Sequence, residues 1–287
     1  MQEPALTFSG FMKIVRWPNL LILGFTQYMT AIFLSGVSPA SSLISHFALH
    51  CMVFSTLLIA AAGYIINDYY DVKIDLINKP ERVVVGRFMK RRVAMIFHTV
   101  FNFGAAFLVL WISWKLSLVY LATAFGLWLY SNQLKRLPLI GNVSIALFTG
   151  LALYILIVLF PEKSQLIFTY SLFAFFTTLI REIIKDMEDL KGDSTFGCKT
   201  LPIIWGIRKT KQFIYLIIIA FIPGLIYLSV QMNNTYLLYY FSLMALFFLV
   251  FIGYLVKADT QKAFAQLSTY SKLLMISGVL SMIFFYS

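Results

Sequence analysis

Long apolar runs separated by short polar stretches dominate the chain. A helix needs about 20 mostly apolar residues to cross the hydrocarbon core of a bilayer. Runs of this length fall at about the following positions: 14–34, 43–66, 93–112, 116–134, 140–160, 165–185, 212–230, 236–256 and 270–287. The pattern predicts an all-α membrane protein with about nine transmembrane helices, in a single domain that occupies residues 1–287.

The overall composition leads to the same class of protein. Of the 287 residues, 60% are hydrophobic and 12% are charged, so there are too few charged side chains to cover a water-soluble globule. The first apolar run has no small-residue cleavage site, and we expect a retained helix there. The net charge of +11 comes without any nucleic-acid-binding module, so no nucleic acid partner is expected.

The positive charges lie almost entirely on one predicted side. If the N-terminal segment shares a side with the loops after the second, fourth, sixth and eighth helices, that side holds every Lys and Arg except Lys115 and Lys163. Short loops rich in Lys and Arg stay in the cytoplasm. We therefore expect a multi-pass protein of the cytoplasmic membrane, with acidic segments at about 67–92 and 181–211 facing the cytoplasm.

Those two segments repeat one acidic pattern, D-x-x-D-x-x-x-D. The pattern consists of Asp68, Asp71 and Asp75 in the first acidic row and of Asp186, Asp189 and Asp193 in the second. Offsets of three and four residues put side chains on one face of a helix. Crowded carboxylates attract divalent cations, and all-oxygen ligands favour Mg²⁺, which usually binds a few carboxylates together with substrate phosphates. The rows thus predict a magnesium site.

Basic residues accompany both acidic rows, and we expect five of them to bind a substrate diphosphate: Lys79, Arg82, Lys135, Arg136 and Lys199. Magnesium on carboxylates together with separate cations suits the negative oxygens of a diphosphate. The neighbouring apolar helices suit a hydrocarbon tail, and the nucleotide-binding Gly-rich phosphate loop is absent from the sequence. This combination favours a polyprenyl diphosphate donor, with a lipophilic acceptor and membrane lipid as the other partners.

The amino-acid sequences of the two acidic segments resemble the signatures of one known family. The run Asn67–Asp75 (NDYYDVKID), followed by Asn78–Arg82 (NKPER), resembles the first signature of the UbiA superfamily of intramembrane prenyltransferases. The run Arg181–Asp193 (REIIKDMEDLKGD), followed by Gly197–Pro202 (GCKTLP), is similar to the second signature. The sequence of the second run most resembles that of the branch of the family that makes digeranylgeranylglyceryl phosphate.

A third similarity involves Tyr130, which precedes Lys135 and Arg136 at the end of the fourth helix. The family often spaces its Tyr and Lys by four residues, whereas this chain spaces them by five. The resemblance implies nine helices around a central cavity, an active site at the cytoplasmic mouth and dependence on Mg²⁺.

The resemblance also implies roles for individual residues. The carboxylates expected to bind the metals are also the residues expected to be catalytic. Asn67, Asp71 and Asp75 would hold one metal, Asp189 and Asp193 the other, and Asp68 and Asp186 would support them. If the acceptor is a prenylglyceryl phosphate, Arg181 or Lys185 is placed by sequence position to contact its phosphate, and Tyr130 has a supporting position.

Three other functions share parts of this pattern. An aromatic prenyltransferase of quinone or haem biosynthesis shares the chemistry and stays open. A divalent-cation transporter would hold its carboxylates near the bilayer midplane, whereas these rows end helices on one side. The CDP-alcohol phosphotransferases place their Asp pairs in one continuous segment, and the distance between the rows here excludes that class.

Overall fold

The structure is a computed structural model that describes residues 7–37, 40–231 and 235–285, apart from the side chains of Ala40 and Arg82. Within these ranges the chain forms helices and turns, with an isolated bridge between Val85 and Met89. The α-helices have these bounds: α1 Phe8–Ile14, α2 Trp17–Met29, α3 Phe47–Asn78, α4 Arg91–Leu110, α5 Trp114–Asn132, α6 Ile140–Tyr154, α7 Ser164–Glu188, α8 Leu190–Thr195, α9 Leu201–Gln231, α10 Thr235–Lys257 and α11 Gln261–Leu280.

Seven helical segments in the described ranges are long and apolar enough to cross a membrane. They contain the helices α3, α4, α6, α7, α9, α10 and α11. The prediction of an all-α membrane protein is therefore confirmed, while the predicted count of nine spans is not. The first predicted span begins with a break at Arg16, whose φ is +52°, and α2 has 13 residues before a π-helical turn at Thr30–Leu34.

Two helices begin well before the apolar runs that predicted them. The last helix starts at Gln261 rather than 270, because the Thr260 side chain caps it by accepting a hydrogen bond from the Ala263 N–H. The helix α9 starts at Leu201 rather than 212 and contains a break at Gly206, where φ is +77°. Hydropathy misses such starts because their polar side chains lower the local average.

The chain divides into two compact units. The first unit comprises Met1–Tyr28 and Val37–Lys135, and the second comprises Met29–Gly36 and Arg136–Ser287. In the first unit, α3 packs against α4 and α5. In the second unit, α7 packs against α6, α9 and α11. The first acidic row therefore lies on the helix that packs against both α4 and α5, and the second begins on the helix that packs against α6, α9 and α11.

The loop that follows α3 is folded onto the first unit rather than dispersed in solvent. Its side chains Val84, Val85 and Met89 are at most 3% exposed and share one hydrophobic cluster with Ile14 and Ile65. Burial of apolar side chains on this scale stabilises a loop that its charge alone would leave solvated. The loop thereby holds the chain beyond the first acidic row in a defined place.

Small residues let the helices of the second unit approach α7 closely. A Cβ added at Gly278 of α11 would lie 2.1 Å from Cε1 of Phe173, and a Cβ added at Gly150 of α6 would lie 3.0 Å from the Ser171 carbonyl oxygen. Glycine at helix interfaces is typical of membrane proteins, where close backbone packing drives helix association. These contacts fix the helix whose last turn contains Asp186, the first carboxylate of the second row.

Candidate functional site

The first acidic row lies on one continuous helix. The helix α3 runs to Asn78, well past the apolar run that predicted it, so Asp68, Asp71 and Asp75 occupy its last turns. Their spacing of three and four residues puts them on one face. The helix ends where the Lys79 N–H donates to the Asp75 carbonyl oxygen at 2.8 Å. The predicted common face of this row is therefore confirmed.

Two carboxylates of the first row are paired with cations that lie far away in sequence. The Asp68 carboxylate accepts a hydrogen bond from the Arg16 guanidinium at 2.8 Å, and that guanidinium lies 4.9 Å from the centre of the Tyr64 ring. Asp71 forms an ion pair with Lys135. Lys135 was predicted for the site, whereas the sequence gave Arg16 only a role in membrane topology.

Arg91 braces the same helix from the start of α4. Its guanidinium donates to the Tyr69 carbonyl oxygen at 3.2 Å and lies 4.6 Å from the centre of the Tyr69 ring. The contact neutralises no carboxylate, so Arg91 holds the backbone of the acidic segment rather than its side chains. A charge pattern alone does not distinguish this arrangement from a topology signal.

The second acidic row is interrupted, which corrects the expectation of one helical row. The helix α7 ends at Glu188, Asp189 has φ −93° and ψ 7°, and α8 begins at Leu190. Asp186 thus lies in the last turn of α7, and Asp193 lies in α8. The Asp193 N–H donates to the Asp189 carbonyl oxygen at 3.1 Å. The three carboxylates are therefore distributed along a turn in the backbone, with Asp186 before it and Asp193 after it.

Backbone and side-chain hydrogen bonds tie this turn to its surroundings in the second unit. Asn142 of α6 donates to a carboxylate oxygen of Asp186 at 2.8 Å. The Lys199 N–H donates to the Arg136 carbonyl oxygen at 2.8 Å, while both side chains are exposed. The predicted cations Arg136 and Lys199 are thus neighbours through their backbones, and their exposed side chains can reach a ligand in water.

A buried carboxylate joins two further cations on α7. Glu182 is 7% exposed, and its oxygens accept hydrogen bonds from Arg181 at 2.8 Å and from Lys185 at 2.9 and 3.1 Å. Arg181 and Lys185 were predicted as acceptor contacts from position alone. The sequence gave no role to Glu182, although its i,i+3 spacing from Lys185 is a usable signal.

The remaining predicted residues are only partly exposed. Asn67, Asp75, Asp189, Asp193, Lys79 and Tyr130 all have intermediate exposure. The side chain of Arg82 lies outside the described residues. The structure brings Lys135 to Asp71 in the first unit and Arg136 to Lys199 in the second. That the two rows serve one ligand stays a prediction.

The chemistry of the donor set fits Mg²⁺. Each row offers carboxylate oxygens, and Asn67 adds an amide oxygen, all of which are hard ligands. In the part of the chain that the structure describes, no group of three or more His, Cys, Asp or Glu side chains could by itself hold a metal ion. Magnesium commonly takes one or two carboxylates and completes its shell with water and substrate phosphates. Asp71, one of the predicted magnesium ligands, already lies next to a positive charge, that of Lys135.

The fold and the acidic segments define a class of protein that a family comparison makes specific. Residues 25–277 match the family model described as the UbiA prenyltransferase family. The matched region covers most of the chain and includes both acidic rows. The protein is a multi-pass membrane enzyme of the prenyltransferase class. The chain belongs to the UbiA prenyltransferase family.

Two curated relatives illustrate the extent of the similarity. The chain is 35% identical over 233 residues to a digeranylgeranylglyceryl phosphate synthase of Saccharolobus solfataricus, which covers 78% of this chain and 79% of that protein. It is 33% identical over 249 residues to a digeranylgeranylglyceryl phosphate synthase of Thermococcus kodakarensis, which covers 82% of this chain and 86% of the relative. Similarity at this level extends over most of both proteins.

Solved structures share the fold. A structure described as digeranylgeranylglyceryl phosphate synthase in membranes has a TM-score of 0.67 and 23% identity, and covers 96% of each chain. A UbiA homologue from Archaeoglobus fulgidus bound to GPP and Mg²⁺ has a TM-score of 0.63 and 14% identity, and covers 96% of this chain and 99% of that one. These likenesses confirm the predicted UbiA-like helical fold.

Proposed function

We propose that this enzyme transfers a geranylgeranyl group from its diphosphate to the free hydroxyl of a prenylglyceryl phosphate, in a reaction that depends on Mg²⁺. The bond between the allylic carbon and the diphosphate oxygen breaks, and a new ether bond forms between that carbon and the acceptor oxygen. Diphosphate and the hydroxyl proton are released. The names of the curated relatives and the wording of the second motif support this acceptor.

The observation that carries the proposal is the ion pair between Lys135 and Asp71 on the acidic face of α3. A diphosphate needs both metal-binding carboxylates and direct cations, and here one of each is in contact. Lys135 would donate to a phosphate oxygen held beside Asp71, while Asn67, Asp71 and Asp75 would hold one Mg²⁺ ion. In the second unit, Asp189 and Asp193 would hold another.

The residues present explain how the donor would be activated. Bound magnesium would supply positive charge against the diphosphate leaving group. Lys135, Arg136 and Lys199 would add charge-assisted hydrogen bonds where negative charge develops as the allylic bond breaks. Aromatic faces near the first row, such as those of Tyr64 and Tyr69, would stabilise an allylic cation without trapping it. The charge asymmetry of the loops supports an active site that faces the cytoplasm.

A panel of donors and acceptors tests the proposal. Purified protein is incubated with Mg²⁺, prenyl diphosphates of several lengths, and either prenylglyceryl phosphate or a hydroxylated aromatic acid, and products are identified by mass spectrometry. We expect a diether phosphate from geranylgeranyl diphosphate. A prenylated aromatic acid as the main product would overturn the proposed acceptor but keep the prenyltransferase chemistry.

The carboxylates are tested by Asp71→Asn and Asp189→Asn. Each substitution keeps the size of the side chain and removes the negative charge that holds a cation. We expect prenyl transfer to fall about 10²- to 10³-fold, the loss typical of removing one group that stabilises developing charge. Glu162→Gln is the matched control, because that side chain is exposed and lies outside both rows. Activity near the wild-type level in both variants would refute the assignment.

A further inference from the structure

Two cations of α7, Arg181 and Lys185, share one buried carboxylate, that of Glu182. Both Arg181 and Lys185 donate to the same oxygen of Glu182, at 2.8 and 3.1 Å, so their cationic heads are held close together. The side chains of Arg181 and Lys185 are 18% and 27% exposed, and that of Glu182 is 9% exposed. The next carboxylate along the helix, Asp186, accepts a hydrogen bond from Asn142. One carboxylate is therefore shared by two cations.

The same stretch of α7 contains hydrogen-bond donors that the protein does not satisfy. The Nε–H of Arg181 and the hydroxyl of Thr178 are buried, and neither has a hydrogen-bond partner among the residues that the structure describes. Thr178 is 4% exposed and precedes Arg181 by three residues, so both lie on one side of the helix. Buried polar groups are normally hydrogen-bonded, so two neighbouring exceptions call for a missing acceptor.

We infer that Thr178, Arg181 and Lys185 form a subsite for the phosphate monoester of the lipid acceptor, with Glu182 as the positioning residue that holds the two cations together. This inference rests on the proposed function. A phosphate monoester has several acceptor oxygens and a double negative charge, which match a guanidinium, an ammonium and a hydroxyl. The guanidinium keeps four of its five N–H donors after the contact with Glu182 in which its NH1 takes part.

The position along the helix favours the acceptor over the donor as the source of the phosphate. At 1.5 Å per residue, Arg181 lies about 7–8 Å from Asp186 along α7, toward the N-terminal end of the helix and the interior of the span. Asp189 and Asp193, the proposed metal ligands of the second row, follow Asp186 on the side away from Arg181, and the donor diphosphate is proposed to bind there. A phosphate at Arg181 is therefore bound by cations of the protein and needs no magnesium.

The test is a binding measurement in EDTA without any donor, which separates this subsite from catalysis. Binding of prenylglyceryl phosphate and of the same prenylglycerol without phosphate is measured on purified protein by microscale thermophoresis. We expect the wild type to prefer the phosphorylated probe. Arg181→Gln and Lys185→Gln should each weaken its binding about 10- to 100-fold, the effect of losing a hydrogen bond to a charged group. Binding of prenylglycerol should not change.

Conservative variants test the hydrogen-bond donors of the subsite separately from its positive charge. Arg181→Lys keeps the positive charge but lacks the buried Nε–H and the planar fork, so it should bind the phosphorylated probe more weakly than the wild type. Thr178→Val should weaken binding about 5-fold, the effect of one neutral hydrogen bond. Arg208→Gln and Lys209→Gln are the matched controls, since both side chains are exposed on α9, and they should bind as the wild type does.

Each outcome decides the inference. Equal losses for both probes, or no loss for either, would overturn it. Binding of geranylgeranyl diphosphate is measured separately with Mg²⁺, and a loss there in place of the loss for the phosphorylated acceptor would assign the cations to the donor and overturn it as well. If Arg181→Gln does not fold, Arg181→Lys and the more exposed Lys185→Gln decide the result. If the wild type prenylates no acceptor, the proposed function fails, while the donor-free binding comparison still tests this subsite.

Discussion

Replacing either partner of the ion pair between Arg16 and Asp68 should destabilise the protein, but by unequal amounts. The Asp68 side chain is 11% exposed, whereas the Arg16 side chain is 37% exposed. Arg16→Met would leave a buried carboxylate without its cation, and Asp68→Asn would leave a guanidinium that can still reach water. We therefore expect the arginine variant to lose much more stability than the aspartate variant, although both remove the same contact.

The magnitude follows from the burial of the two partners. Removing one partner of a fully buried ion pair costs about 3–5 kcal/mol, because the other charge stays desolvated. Solvent reaches Arg16, so this pair is screened, and we expect about 2 kcal/mol for Arg16→Met. Asp68→Asn should cost about 1 kcal/mol or less, since the amide oxygen can still accept from the guanidinium. The double variant should be about as stable as Asp68→Asn, because it contains no buried charge.

Thermal unfolding in detergent measures these differences. Cys51 and Cys198 are buried free thiols, 7% and 5% exposed, so a dye that becomes fluorescent on reacting with thiols reports unfolding. We expect Arg16→Met to lower the apparent Tm by roughly 4–8 °C at a fixed scan rate. Arg92→Met, at an exposed arginine of α4, is the matched control. Equal shifts for Arg16→Met and Asp68→Asn, or no shift for the former, would refute the reasoning.

Three further predictions concern the donor site, the metal and the helix packing. Lys135→Gln should raise the KM for prenyl diphosphate about 10-fold or more in initial-rate measurements, because a charge-assisted hydrogen bond is lost, and an unchanged KM would exclude a donor contact. EDTA should abolish prenyl transfer and added Mg²⁺ should restore it, whereas full activity in EDTA would contradict the proposed metal. Gly278→Ala should destabilise the protein by about 1–3 kcal/mol in the same thiol assay, because its Cβ would overlap the ring of Phe173. Gly253→Ala, whose Cβ would meet no atom of the described residues within 4 Å, should leave the apparent Tm equal or higher, and equal losses in both glycine variants would contradict the packing argument.

The sequence predicted the membrane class and the helical content well because both depend on local features. An apolar run of spanning length needs no tertiary contact to be recognised, and α4 begins and ends within two residues of the run that predicted it. The common face of Asp68, Asp71 and Asp75 also follows from helix geometry alone. The second row does not share one helical face, because the helix ends at Glu188, and no periodic signal in the sequence marks that break.

Hydropathy also misplaced several helix ends. Apolar runs locate the part of a helix that meets lipid, whereas the helix itself continues into water for as long as caps and tertiary contacts support it. The helix α3 therefore extends to Asn78, and the Asp row lies on it rather than in a loop. The same reason explains the early start of α11 at its Thr260 cap.

By itself, the sequence determined that this protein is a helical membrane enzyme with two repeated carboxylate rows, because composition, periodicity and motif spacing are properties of the chain alone. Tertiary structure decided which charges meet. Asp68 pairs with a residue 52 positions away, Asp71 with one 64 positions away, and Asp186 with one 44 positions away. Helix packing decides such contacts, since it brings a distant donor to a carboxylate and removes water from both. For the same reason, only the structure revealed the buried donors of Thr178 and Arg181 beside Glu182.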